Sequence, residues 1–287
     1  MQNTKLTSST NQKREARSLC SSAEAHFAQG QYRQAAALYR EALKLGEAAF
    51  ATEPLELSII RHNLARVYKY TGDFAEAEHL YRQSLAVTEQ MLGPAHPEVA
   101  TIYHNLGGLE HARGRYAEGE PLARRSVEIR EKALGADHPE VAEDIAALAA
   151  LLDGQGKYDE SEPLYQRALA IFEQAYGSEH YEIAINLNNL AALKQAQRRF
   201  DEAEPLYRRA LALKENLLGA EHPDVAMTLN NLAVLCKTLG QYAEAEILYR
   251  RALAIFERVL GAEHPKVTTC RENYARLREQ MKYSASI

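Results

Sequence analysis

Glycine recurs along this chain with a period of 42 residues, and this repeat constrains the fold more than any other feature. A first series comprises Gly93, Gly135, Gly177, Gly219 and Gly261. A second series comprises Gly30, Gly72, Gly114, Gly156 and Gly240, with Arg198 at its one missing position. A repeat of this length predicts a stack of similar supersecondary units, each of which buries its apolar face only against its neighbours.

The residues between the glycines follow the spacing of α-helices. Leu232, Leu235 and Leu239 lie three and four residues apart, as they would on one face of a helix. Gly240 separates this run from a second one, so we expect it to end the first helix in the left-handed conformation and to form the turn into the second. Gly261 is predicted to end the second helix in the same way.

A third series with the same period pairs histidine with proline. Its members are His96-Pro97, His138-Pro139, His222-Pro223 and His264-Pro265, while Tyr181 follows His180. Proline suits the first position of a helix, where its missing N–H has no intrahelical partner. Each repeat is therefore predicted to consist of helix A, a short turn, helix B and a longer loop. The histidine is expected to cap the next helix or to pack against the loop.

These signals predict six helix pairs and a final unpaired helix. The pairs are expected at residues 13–50, 54–92, 97–134, 139–176, 181–218 and 223–260, and the final capping helix at 265–282. Pro121, Pro163 and Pro205 are expected within about the first turn of their B helices, where they do not interrupt the helix. One continuous solenoid domain is predicted over residues 13–282, with flexible tails at 1–12 and 283–287.

Residues 230–265 carry the pattern of a known repeat. With Asn231 counted as the sixth position, Ala233, Gly240, Tyr242 and Ala252 fall on small and large packing positions that resemble those of the tetratricopeptide repeat. The 42-residue period and the LGxxHPxVA loops resemble the repeat region of kinesin light chain. The resemblance implies an all-α, right-handed superhelical solenoid of antiparallel helix pairs that binds other proteins. Since there is no room before residue 13 for the coiled coil of kinesin light chain, we expect no motor adaptor role.

Composition argues against several functional classes. The formal net charge of −5 disfavours a nucleic-acid surface, which normally needs a basic excess. No stretch approaches the ~18 apolar residues of a membrane span, and the polar N-terminal segment lacks the apolar core of a secretory signal. Three cysteines without metal-ligand spacing are typical of reduced thiols in a cytoplasmic protein. Without a phosphate loop, a nucleophile turn or an HExxH motif, we expect no cofactor, no metal site and no enzymatic activity.

The family resemblance implies that the A helices line a concave groove that accepts a peptide segment. Positions two, five, six, nine and twelve of each A helix are then expected to face the groove. The predicted peptide-binding residues are His62, Asn63, Arg66, Lys69, His104, Asn105, His111, Asn188, Asn189, Gln195, Asn230, Asn231 and Lys237.

Asparagine recurs at the sixth position of the A helices. The series comprises Asn63, Asn105, Asn189, Asn231 and Asn273, and Ala147 interrupts it in repeat four. Asparagine is a mediocre helix former, so its recurrence in mid-helix needs a reason. Its carboxamide can pair with the backbone of an extended peptide, or it can bond the adjacent helix and hold the solenoid together. Both interpretations remain open at this point.

Charge varies along the predicted groove. Repeats two and three carry Arg66 and Lys69 together with three histidines, which predicts an acidic portion in the ligand. The expected partner is a protein or peptide, with no nucleic acid and no membrane, and the protein is expected to be a monomer with at most weak oligomerisation. The alternative is a structural, assembly or regulatory subunit that uses its convex face or its ends in a larger complex.

Overall fold

The computed structural model describes residues 2–262 and 264–284, which form thirteen α-helices and no strand. The helices are α1 Gln2–Ala28, α2 Tyr32–Ala49, α3 Pro54–Thr71, α4 Phe74–Leu92, α5 Pro97–Ala112, α6 Tyr116–Leu134, α7 Pro139–Gly154, α8 Tyr158–Tyr176, α9 Tyr181–Ala196, α10 Phe200–Leu218, α11 Pro223–Thr238, α12 Tyr242–Leu260 and α13 Pro265–Ser284. Odd-numbered helices are the predicted A helices and even-numbered ones the B helices. The all-α repeat solenoid is confirmed, and the bounds of α3 to α12 agree with the predicted pairs.

The chain divides into two compact units, residues 1–156 and 157–287. In the first unit, each of the helices α1 to α7 packs against the next, and α5 also contacts α3 and α7. In the second unit, α8 to α13 pack in the same order, and α11 also contacts α9 and α13. Successive A helices therefore lie side by side within each unit.

Small and large side chains alternate in the core with the period of the repeat. Ala233, Ala245 and Ala252 are completely buried, as their family positions predict, and they allow neighbouring helices to approach closely. Every B helix except α6 also contributes a buried tyrosine that fills the space between helices. These tyrosines are Tyr39, Tyr81, Tyr165, Tyr207 and Tyr249, and Ala123 replaces them in α6.

Repeat three has two glycines where its helices pack. Gly107 on α5 and Gly119 on α6 stand where most other repeats have alanine. A Cβ atom on Gly119 would lie 3.2 Å from the carbonyl oxygen of Gly107 and 2.6 Å from the Leu151 side chain. The absence of a Cβ atom on Gly119 therefore makes room for the Leu151 side chain of α7, whereas a Cβ atom on Gly107 would make only ordinary contacts at 3.5 Å.

The two glycine series have different backbone conformations. Gly72, in the turn from helix A to helix B, has φ 86° and ψ 5°, which is the predicted left-handed conformation. Gly261 has φ 82° and ψ 155°, so the prediction that it ends its helix in the same way is wrong. That extended region at positive φ is open almost only to glycine, whereas other residues reach the left-handed region at a modest cost. The A–B turn series can therefore include Arg198, with φ 62°, while the loop series contains only glycine.

Histidine caps five of the A helices. The Nδ1 atom of His96 accepts a hydrogen bond from the backbone N–H of Glu98, with a distance of 3.2 Å. The same cap occurs at His138, His180, His222 and His264. Because the cap satisfies an N–H group that has no intrahelical partner, the capping interpretation of these histidines is confirmed.

Two local predictions differ from the structure. Pro121 is the sixth residue of α6 and so lies beyond the first turn, as do Pro163 in α8 and Pro205 in α10. Each proline removes one intrahelical N–H donor, yet the helix continues through it. Helix α1 begins at Gln2 rather than near residue 13, and α13 extends to Ser284. The domain boundaries and flexible tails stay predictions, and residues 285–287 lie outside the described part of the chain.

We expect Arg198→Gly to raise the free energy of unfolding by about 1 kcal/mol, because glycine adopts positive φ without the steric cost of a Cβ atom. Urea denaturation followed by circular dichroism measures this change. The opposite exchange at the equivalent turn position, Gly240→Arg, should lower the free energy of unfolding by a similar amount. A loss of stability in Arg198→Gly would contradict this account of the turn.

Candidate functional site

The predicted groove residues lie on four A helices. In the first unit they are His62, Asn63, Arg66 and Lys69 on α3, and His104, Asn105 and His111 on α5. In the second unit they are Asn188, Asn189 and Gln195 on α9, and Asn230, Asn231 and Lys237 on α11. The surface that these side chains form in each unit is called here the A-helix face. Most of them are half-buried, while Asn188 is buried and His111 is exposed.

Asparagine side chains join successive A helices in the second unit. The Nδ2 group of Asn231 on α11 donates to Oδ1 of Asn188 on α9 at 3.4 Å. The Nδ2 group of Asn273 on α13 donates to Oδ1 of Asn230 on α11 at 3.3 Å. Each bond connects the sixth position of one A helix with the fifth position of the preceding A helix.

An imidazole takes part in the same contact in the first unit. Asn105 Nδ2 lies 3.2 Å from His62 Nε2, and it also donates to the carbonyl oxygen of Thr101 at 3.0 Å. Burial lowers the pKa of His62 to about 4, assisted by the nearby charges of Arg66 and His104. The imidazole is therefore neutral near pH 7, and its Nε2 atom can accept the hydrogen bond.

Part of the asparagine series thus holds neighbouring A helices together. Asn105, Asn231 and Asn273 bond the preceding A helix, as one of the two interpretations predicted. Asn63 and Asn189 make no side-chain hydrogen bond with any residue that the structure describes. A carboxamide has two N–H hydrogens and an oxygen, so one bond to a neighbouring helix leaves capacity for a second partner. Contact with a peptide stays a prediction for the whole series.

In repeat four, where Ala147 interrupts the series, an ionic network centred on Asp144, three residues earlier, connects α7 with its neighbours. His104 Nδ1 lies 2.7 Å from Oδ1 of Asp144 on α7, and the other carboxylate oxygen of Asp144 accepts from Arg130 Nε at 2.6 Å. Arg130 also pairs with Glu140. The side chains of Asp144 and Arg130 are only 1% and 7% exposed, so each charge depends on the other for its compensation. Sequence analysis had not identified either residue.

The predicted basic cluster is weaker than its composition suggests. Burial lowers the pKa of His111, and the neighbouring Lys69 charge lowers it further. Arg66 forms a salt bridge with Glu24, and its guanidinium lies 4.3 Å from the centroid of the Phe27 ring. The charge of Arg66 is therefore already compensated within the chain, and the lowered pKa of His111 disfavours its protonated form.

Lys69 is the exception in this cluster. It pairs with no carboxylate among the described residues, and burial lowers its pKa. Its Nζ atom lies over α5, only 3.3 Å from the place that a Cβ atom on Gly108 would occupy. The absence of a side chain at Gly108 therefore gives the lysine the space in which it lies.

Each unit has a depression at the same repeat position of its A-helix face. The depression of the first unit has a volume of about 400 Å³ and is lined by Cys20, Ser21, Glu24, Tyr39, Asn63 and Arg66. The depression of the second unit has a volume of about 310 Å³ and is lined by Ala192, Gln195, Ala196, Tyr207, Asn231 and Val234. Four positions of each are repeat-equivalent, including the buried tyrosine of the B helix. The 42-residue period of these tyrosines is the sequence signal for this position.

Three further features of the described residues concern metal ions, thiols and membranes. Within them, no three His, Cys, Asp or Glu side chains are grouped so as to hold a metal ion. Cys20, Cys236 and Cys270 are unpaired, and burial raises the pKa of each thiol to about 11. None of the helices in residues 2–262 and 264–284 combines the length and apolar character that a membrane span requires.

Family models with one shared description match nearly the whole chain. A family model described as tetratricopeptide repeat matches residues 14–90, 98–174, 144–216, 182–258 and 224–287. A second model with the same description matches residues 62–133. No curated protein gives a significant match.

Solved structures with similar folds include proteins with kinesin light chain-like repeats. BtubC (BKLC) from P. vanneervenii is 26% identical with a TM-score of 0.64, and the match covers 82% of this chain and 94% of that one. A protein of Podosopora anserina with nearly identical TPR-like repeats of the kinesin light chain type is 29% identical with a TM-score of 0.56, covering 72% and 97% of the two chains. A Rap protein complexed with Competence and Sporulation Factor has a TM-score of 0.63 over 94% of this chain and 76% of its own, and its 15% identity shows the fold alone. The predicted kinesin light chain-like repeats are confirmed.

We expect protonation of His62 to destabilise the first unit in mild acid. The pKa of His62 is about 4 in the folded chain against an ordinary value of 6.5, so the unfolded chain binds more protons between these values. This stabilising contribution is complete above pH 6.5 and is lost as the pH falls towards 4.

The measurement is urea denaturation at a series of pH values for the original chain and for His62→Asn, which keeps a hydrogen-bond acceptor but does not titrate. The difference in free energy of unfolding between the two chains should change through this pH range. A difference that is independent of pH would contradict the assignment.

Proposed function

This chain belongs to the tetratricopeptide repeat family, and we propose that it binds an extended peptide segment of a partner protein on its A-helix face. Proteins of this family mediate protein–protein interactions, and their fold is typically a non-catalytic scaffold. The finer proposal concerns where and how the partner is held. It follows the expectation that the A helices line a groove.

The observation that carries this proposal is the row of polar side chains at equivalent positions of successive A helices. Asn63 and Asn189 are half-buried carboxamides that the described part of the chain does not use for its own hydrogen bonds. Neighbouring packed helices lie about 10 Å apart, which corresponds to roughly three residues of extended chain. Carboxamides on neighbouring A helices of one unit could therefore pair with the backbone of a bound segment at regular intervals, whatever its side chains are.

We propose further that the bound segment has an acidic portion that meets Lys69. A half-buried ammonium group without a carboxylate partner is unfavourable alone, and an acidic side chain of a ligand would compensate it. The electrostatic preference should be moderate, since it rests on one unpaired lysine. We place the protein in the cytoplasm because all three of its cysteines are free thiols.

A second candidate function is assembly into a larger complex. Three exposed apolar side chains, Met91, Leu217 and Val259, occupy the same repeat position near the C-terminal ends of B helices, with exposed fractions of 49%, 44% and 47%. Exposed apolar side chains that form a contiguous patch are a feature of interaction surfaces. Light scattering over a range of concentrations tests self-assembly, and a mass that stays at one chain would count against it.

Selection of short random peptides on the immobilised full-length chain tests peptide binding directly. Against a selected peptide, Asn63→Ala and Asn189→Ala should each weaken binding by roughly 2- to 10-fold, since each removes one hydrogen bond worth about 0.5–1.5 kcal/mol. These positions are suitable because neither substitution removes a side-chain hydrogen bond within the described residues. Gln166→Ala, on the exposed surface of a B helix, is the matched control. Selection of no peptide, or equal binding by all of these chains, would overturn the proposed function.

Lys69→Met should weaken binding of acidic selected peptides by roughly tenfold, because a hydrogen bond to a charged group is lost. The affinity of Lys69→Met for these peptides should also depend less on salt than that of the original chain, since salt screens only the charges that remain. Fluorescence anisotropy at low and high salt measures both effects. Lys44→Met, at an exposed lysine on α2, is the control and should bind like the original chain. Unchanged affinity in Lys69→Met would contradict the acidic portion while leaving peptide binding itself intact.

A further inference from the structure

Three A helices carry at their fifth position a hydrogen-bond acceptor that the next A helix satisfies. The acceptors are His62 Nε2, Asn188 Oδ1 and Asn230 Oδ1, and each receives the Nδ2 group of the asparagine at the sixth position of the following A helix. His104 is the fifth-position residue of α5, but the sixth position of the following A helix, α7, holds Ala147. The internal donor found in those three pairs is therefore missing at His104.

The contact with Asp144 decides which nitrogen of the His104 ring is the acceptor. The Asp144 side chain is only 1% exposed, and one of its oxygens accepts a hydrogen bond from the Arg130 guanidinium at 2.6 Å in a buried ion pair. A carboxylate in such a pair can only accept hydrogen bonds, so the hydrogen between His104 Nδ1 and Asp144 Oδ1, which are 2.7 Å apart, belongs to the imidazole. In the neutral ring, Nε2 then carries the free lone pair.

The Nε2 atom of His104 is within reach of a ligand. The His104 side chain is 32% exposed, whereas the carboxylate against which its Nδ1 atom lies is buried. Nε2 makes no hydrogen bond with any described residue, and it is not one of the polar atoms that are buried without a partner. It therefore has accessible surface on the A-helix face of the first unit. Ala147, itself half-buried, has no atom beyond Cβ to fill the place of the asparagine amide.

We propose that His104 Nε2 accepts a hydrogen bond from an uncharged N–H group of the bound peptide, in the place that an asparagine amide fills in the other three pairs. The proposal rests on the proposed function and specifies the ligand chemistry at one point of the same face. A backbone amide and the side-chain carboxamide of a peptide asparagine or glutamine offer this same donor. A cationic group is less suited, because Arg130 already compensates the Asp144 charge behind the ring. Asp144 is a positioning residue that holds the ring and fixes its tautomer.

His104→Asn separates recognition from packing, because the asparagine amide takes the place of Nδ1 and can still donate to Asp144, while Nε2 is lost. Its affinity for peptides selected on the original chain should fall about tenfold, which corresponds to one lost hydrogen bond. Fluorescence anisotropy at about pH 8, above the range in which histidines ordinarily titrate, measures this change. The melting temperature of His104→Asn should stay close to that of the original chain.

Ala147→Asn supplies the missing internal donor and should close the site. The new carboxamide would donate to His104 Nε2 as Asn105 does to His62, so peptide affinity should again fall about tenfold. Ala86→Asn, at an exposed alanine in the middle of α4, is the matched control and should bind like the original chain. Its melting temperature should be lower than that of Ala147→Asn, because both variants lose the helix propensity of alanine and only Ala147→Asn gains a hydrogen bond.

The double variant of His104→Asn and Ala147→Asn tests whether the two changes act on the same acceptor. Its affinity should be no lower than that of either single variant, whereas independent effects would multiply to about a hundredfold loss. A multiplied loss, or unchanged affinity in His104→Asn, would overturn the proposal while leaving peptide binding itself intact. If the original chain selects no peptide, the proposed function fails and this inference fails with it.

Changes in the peptide identify the source of the N–H group. If a side-chain carboxamide is the donor, replacement of one peptide asparagine or glutamine by leucine should weaken binding to the original chain but not to His104→Asn. If a backbone amide is the donor, methylation of one backbone nitrogen should have this selective effect. A peptide for which neither change distinguishes the two chains would contradict the proposal.

Discussion

A single pair of helices in this chain cannot bury its apolar faces by itself, and the rest of the structure follows from that constraint. Each pair needs a neighbour with matching small and large side chains, and the 42-residue period supplies one at every step. Buried alanines such as Ala233 and Ala245 set how closely helices approach, and buried tyrosines such as Tyr249 fill the space that remains. Gly119 shows the limit of this packing, since a Cβ atom there would lie only 2.6 Å from the Leu151 side chain.

The same constraint places polar side chains between A helices. Helices that lie side by side bring the fifth position of one close to the sixth position of the next, and polar groups at these positions need partners there. Asn231 and Asn188 satisfy this need with amides, whereas Asn105 uses the neutral imidazole of His62. Where Ala147 removes the amide, His104 contacts the buried carboxylate of Asp144 instead. A polar contact between successive A helices thus recurs across these repeats, while its chemistry and, at Asp144, its position on the helix change.

The two depressions illustrate how one repeat position acquires different charge. Tyr39 and Asn63 in the first unit correspond to Tyr207 and Asn231 in the second. The walls differ, because the first has an ion pair between Glu24 and Arg66 and the second has alanine and valine. The buried tyrosine of the B helix is common to both positions, so the repeats share their packing while the charge of the walls differs.

The sequence by itself determined the helices, their order and most of their ends. Glycine, histidine and proline act on the backbone within a few residues, so signals such as His96-Pro97 and Gly72 could be interpreted locally. The same local signals were less reliable for the backbone conformation of a helix-ending glycine and for the position of a proline within its helix. Gly261 adopts an extended conformation at positive φ rather than the left-handed one, and Pro121 lies inside its helix.

Only the tertiary structure decided which polar side chains have hydrogen-bond partners within the described residues and which do not. Asn105 and Asn63 are equivalent in sequence, yet the described structure gives a hydrogen-bond partner only to the first. Arg130 and Asp144 could not be paired from sequence because they lie on different helices of neighbouring repeats. The unpartnered oxygen of Gln195 is likewise invisible in the sequence. Hydrogen bonding and burial depend on distances between helices, and a periodic sequence specifies which positions are equivalent but not which neighbours satisfy them.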